Sequence, residues 1–159
     1  MKTHALLTTI LLALIAPLSA EWQIDQPKKE VPKELSGQIW GRKFELGKAN
    51  WNNAVLTVAS KAKMNGWPES QLVFFIGKDD KKTEWLVTPE NSNFDSPHIH
   101  MKFGKEGADF PGTLMFTGEY SLYLKLVEKK DKKATFQIHV SMPDYKKSYL
   151  IGTFEADIQ

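Results

Sequence analysis

Apolar and polar residues alternate along residues 119–158. Tyr120, Leu122, Leu124 and Leu126 fall on one side of an extended chain, with Ser121, Tyr123 and Lys125 on the other. Ala134, Phe136, Ile138, Val140 and Met142 repeat the pattern against Thr135, Gln137, His139 and Ser141, and Tyr149–Ile158 gives a third run. A period of two predicts strands with one buried face, because successive side chains point to opposite sides of a sheet. Charged turns separate the runs, so an antiparallel meander is expected.

Both apolar rows of the first pair are even-numbered. Residues opposite each other in an antiparallel pair share a face, so paired numbers sum to an even value and the loop has an odd length. A sum of 262 centres the turn on Asp131, sets Leu124 against Ile138 inside, and sets Tyr123 against His139 outside. That outer pair is a docking place for a small ligand or partner.

Upstream, residues 37–46 read as a strand with a bulge or bend at Gly41. Residues 49–53 read as a turn into strand 54–59, and residues 61–70 as a polar loop carrying Asn65-Gly66 and Trp67-Pro68. The nearly continuous apolar run 71–76 suits a strand covered on both faces. Strands 81–88, His98–Phe103 and 113–116 follow. About nine short strands and no helix past the N-terminus predict an all-β domain. A two-sheet antiparallel sandwich with jelly-roll or immunoglobulin-like connections fits that spacing.

The N-terminus has another pattern. Lys2 precedes an uncharged apolar run over residues 5–16, and Pro17-Leu-Ser-Ala20 closes it with small residues. This is the layout of a signal helix cleaved on export to the periplasm or the outside, and the run is shorter than the roughly 20 residues a spanning helix needs. Residues 21–36, with two prolines and several charges, read as an extended linker; residues 37–159 form the domain.

Cleavage after Ala20 leaves 139 of the 159 residues, enough for one packed core without disulfides, the chain having no cysteine. The mature chain keeps 20 of the 21 basic residues and all 19 acidic ones. That balance argues against nucleic acid, which needs a basic stripe. The lysine-rich stretches 78–82 and 128–133 contain acids and read as solvated hairpin tips. A membrane partner enters only through the export signal.

Catalytic motifs are missing: there is no nucleophile elbow, cysteine nucleophile, phosphate loop or His-Glu-x-x-His. The domain therefore reads as a non-enzymatic binding module for a small molecule, carbohydrate or protein. The alternative is a metal-binding protein or metal-dependent enzyme built on His98 and His100, which a strand places side by side. Such a pair chelates a transition metal given a further ligand, for which Glu106, Asp109, Asp95 and His139 are candidates; otherwise no cofactor is expected. His98, His100, Glu106 and Gly112 resemble part of a cupin motif. The gap to Glu106 is longer, no glycine stands six residues before His98, and the second cupin motif is missing, so no family is assigned. For a sugar, Trp51 and Trp67 stand among asparagines and offer ring faces for stacking, with Tyr123 and His139 as the other ligand-binding residues.

Overall fold

The computed structural model describes residue 24 and residues 26–52, 54–79 and 81–159. The signal expected over residues 1–20 lies outside these residues, as does Trp22. The described residues hold no helix. Their strands are, in order, β1 Ser36–Ile39, β2 Arg42–Lys43, β3 Leu46–Trp51, β4 Val55–Ser60, β5 Lys63–Met64, β6 Trp67–Pro68 and β7 Ser70–Phe75. After these come β8 Glu84–Val87, β9 His98–Phe103, β10 Gly112–Phe116, β11 Ser121–Lys130, β12 Lys133–Ser141 and β13 Tyr149–Ile158.

The all-β class is present, and the hydrogen bonds join eleven strands into one curled mixed sheet. Its path runs β10-β9-β7-β4-β3-β13-β12-β11-β8; β1 pairs with the start of β13, and β2 with β1. The link between β3 and β13 is parallel and short, Asp157 facing Asn50 and Ile158 facing Trp51. This seam divides the sheet into a half ending in β10 and a half ending in β8. Curling brings the halves together. Trp40, beyond β1, stacks on Phe103 of β9 with ring centroids 3.9 Å apart, and Trp51 of β3 meets Phe136 of β12 edge-on at 5.3 Å. The Tyr120 hydroxyl donates to the Pro97 carbonyl, and burial pushes that phenol's pKa up. One core lies inside; Leu122, Leu124, Phe136, Ile138 and Val140 are fully buried and Phe154 nearly so, as the alternation predicts.

The register sum of 262 holds from Ser121↔Ser141 to Leu126↔Phe136. The odd-length loop does not. A bulge at Val127 takes up one residue, after which Lys130 pairs with Lys133 across the two-residue turn Asp131-Lys132. A bulge adds an unpaired residue to one strand, so an even loop coexists with an even register. Asp131 takes a positive φ of 53°, which aspartate tolerates.

Other differences are local. Trp40 and Gly41, at φ 54° and 74°, form a hairpin turn between β1 and β2 in place of a bend. Two positive φ values match such a turn to the strand twist. The turn expected over 49–53 is narrower, because β3 runs to Trp51 and the Asn52 side chain accepts the Val55 N–H at 2.9 Å. Within 61–70, β5 and β6 form a small hairpin around Asn65-Gly66. The run 71–76 is covered on one face only: β7 alternates buried and open positions, and Phe75 is exposed.

Residues 26–35, ahead of β1, lie on the sheet. Glu34 and Leu35 pass Gly152, whose φ is +141°; a Cβ there would sit 2.2 Å from the Glu34 carbonyl oxygen. The chain then crosses the outer side of the β8 half. Pro32 accepts from the Thr153 hydroxyl at 3.0 Å, the Lys28 N–H donates to His139 Nδ1 at 2.8 Å, and Lys29 pairs with Glu84 at 3.2 Å. The Gln26 side chain reaches Glu90, whose carboxyl sits below its usual range mainly through the Thr88 hydroxyl.

Candidate functional site

On β9, Ile99, Met101 and Phe103 enter the core, and His98, His100 and Lys102 point outward and half-buried, as the spacing predicts. His98 lies opposite Phe75 of β7; His100 lies between Val73 of β7 and Met115 of β10. The Phe75 ring tilts against His100 at 4.7 Å, and Phe94, from the loop before β9, meets His98 edge-on at 5.9 Å. Phe75, Phe94 and Met115 are 40%, 87% and 69% exposed. Large apolar side chains thus gather around two imidazoles on an uncovered face.

The charge of this face is one-sided. None of the residues that β3, β4, β7, β9 and β10 turn outward is acidic, while Lys48 and Lys102 carry positive charge. Beside them Lys48, Lys61 and Lys63 line a shallow hollow of about 440 Å³.

The structure sets His98 and His100 together but leaves Glu106 and Asp109 elsewhere. Both are in the loop past the far end of β9, where the Asp109 carbonyl accepts from the Trp67 indole and the Ala108 carbonyl from Asn65. At about 3.3 Å per residue, the length of β9 separates that loop from His98. Asp95 lies in the loop before β9, lining a hollow of about 340 Å³ with Lys82, Trp85 and Asn93. His139 is on β12, in the other half. Among the described residues no group of three or more His, Cys, Asp or Glu side chains is placed to hold a metal.

The sugar-type residues also separate. Trp51 is a core residue at 6% exposure, with the Lys129 ammonium 5.1 Å from its ring. Trp67 is 46% exposed beside the exposed Phe110. Tyr123 and His139 are opposite each other on the outer side as expected, yet both are buried, at 3% and 2%. Residues 26–33 cross there, and burial together with the Glu84 charge raises the Tyr123 pKa. The expected docking place is filled by the chain itself.

No family model matches this chain, nor does any curated protein or solved structure.

Sequence reasoning missed Phe75, Phe94 and Met115. Phe94 carried a usable signal: it is the single large apolar residue in the polar loop 90–96. Phe75 and Met115 fall on the same sheet side as the histidines once the register of β7, β9 and β10 is known.

Proposed function

We propose that this chain is an exported, non-enzymatic interaction module, the two halves of its curled sheet serving as the layers of a sandwich. The outer face of β7, β9 and β10 receives a protein partner that brings apolar side chains and carboxylates. The observation that carries this reading is the cluster of exposed Phe75, Phe94 and Met115 around His98 and His100, over strands that turn no acid outward. Aromatic side chains and methionine are enriched at interfaces, and complementary charge steers partners together. A photo-crosslinking residue at position 75, in the native host, is expected to capture a discrete protein. Capture should disappear with Phe94→Ser and be missing from a probe at Lys130 on a hairpin tip. The same products from both probe positions would sink the reading. The N-terminus of the exported protein is expected at or next to Glu21.

Calorimetry with zinc separates the metal-dependent alternative: one-to-one binding abolished by His100→Ala would favour it. The sugar alternative rests on Trp67, whose exposed ring lies beside Asn65; it requires glycan binding that Trp67→Ala removes.

A further inference from the structure

The main path of the sheet ends in β8 and β10, apart from the two-residue β2 beside β1. At the β8 edge Glu84 brings a charge, paired with Lys29 and lying 4.0 Å from Lys125, and the loop 91–97 stands beside the strand. Charge and cover of this kind keep an edge from pairing with other chains. β10 has neither: Gly112–Phe116 holds no charged residue, and Met115 is largely exposed.

Bonding parity fixes which backbone groups of β10 are free. The Gly104 N–H donates to the Glu69 carbonyl, in register with the β7–β9 ladder. Bonded and non-bonded pairs alternate along an antiparallel ladder. His98, His100 and Lys102 therefore bond toward β7, and Ile99, Met101 and Phe103 toward β10. On β10 the groups facing β9 belong to Gly112, Leu114 and Phe116. The N–H and C=O of Thr113 and Met115 point away from the sheet, and no partner for them is found among the described residues.

We infer that β10 pairs antiparallel with β10 of a second copy of this chain, with Leu114 on the two-fold axis. This register sets Thr113 of each copy against Met115 of the other, and each is a doubly bonded pair, so every free group on the strand is satisfied. Leu114 meets Leu114 on the core side. Phe116 falls opposite Gly112, over the Phe103 ring and the Lys105 side chain that occupy the place of a side chain there. No like charges are opposed. Leu114 and Phe116, only partly buried in one copy, gain cover. Centring on Thr113 is poorer, since it sets Met115 against Pro111, which has no N–H.

The test has three arms. Sedimentation of the mature wild-type protein is expected to show a concentration-dependent dimer. Thr113→Pro removes an N–H that the sheet does not use, and Met115→Lys puts a charge at the edge. Both should sediment as monomers while melting within a few degrees of wild type. Leu114→Cys, in a chain otherwise free of cysteine, should form a disulfide-linked dimer on mild oxidation, whereas Thr113→Cys should not. A wild type that stays monomeric at its solubility limit overturns the proposal. So does a dimer that survives both edge variants, or crosslinking no better at 114 than at 113. Should Thr113→Pro fail to fold, Met115→Lys and the cysteine pair decide.

Discussion

The two halves of the sheet use similar strands and treat their outer sides in opposite ways. In the β8 half, Ser121 to Leu124 of β11 and Ile138 to Ser141 of β12 are all buried, both faces alike. In the β10 half, β4 and β9 alternate buried and half-buried positions from end to end. The difference lies in residues 26–35, which cross one outer side and leave the other open. Tyr123 and His139 are thereby taken into the structure, and His98 and His100 stay half-exposed on the uncrossed side.

The largest test concerns the core that both halves share. Phe136→Ala should lower stability by about 3–5 kcal/mol in denaturant unfolding. A loss within the surface range of about 0.5 kcal/mol would mean that the assigned core face is wrong.

Gly152→Val, which forces a side chain against the Glu34 carbonyl, should lose about 1–3 kcal/mol. It should also speed amide exchange at Lys28. Unchanged exchange there would detach Gly152 from the crossing.

On the open side, Phe94→Ser should stay within about 0.5 kcal/mol of wild type, since an exposed side chain has little packing to lose. A larger loss would show that this face is held by the fold and is not free.

The smallest effect belongs to the seam, where Lys133 and Asp157 pair at 2.6 Å, near Lys48. Lys133 holds the Asp157 carboxyl below its usual range, chiefly by the hydrogen bond, and Asp157 raises Lys133. The stabilisation is therefore complete above the ordinary carboxylate value of about 3.9 and shrinks as pH falls below it. At the other end it fades as pH rises past the lysine range. Melting curves of wild type and Asp157→Asn should converge in acid and in high salt, both ends being exposed. Curves equally far apart at pH 2 and pH 7 would contradict the pairing.

The meander was legible because side-chain hydrophobicity sets its period, and the Tyr123–His139 pairing followed from parity together with a turn placed at Asp131. The bulge at Val127 was not: shifting the extra residue into the strand leaves the apolar rows unchanged, so the alternation carries no trace of it. The crossing by residues 26–35 was hidden for a related reason. Its hydrogen bonds to His139 and Thr153 run through backbone, the Lys28 N–H and the Pro32 carbonyl, which no hydrophobic pattern records. A faint sign was Gly152 inside a strand pattern, since such a glycine often marks a close backbone approach. His98 and His100 were placed on the correct face. Their aromatic surroundings come from other strands and a loop, and single-chain spacing does not reveal which of these are neighbours.

Chemical footprinting of histidines with diethyl pyrocarbonate, read by peptide mass spectrometry, tests the contrast most directly. His98 and His100 should be modified readily in the folded protein, while His139, buried under residues 26–33, stays protected. Gly152→Val should expose His139 without changing the other two. Modification of wild-type His139 at the rate of His98 would contradict the covered and open faces on which the functional reading depends.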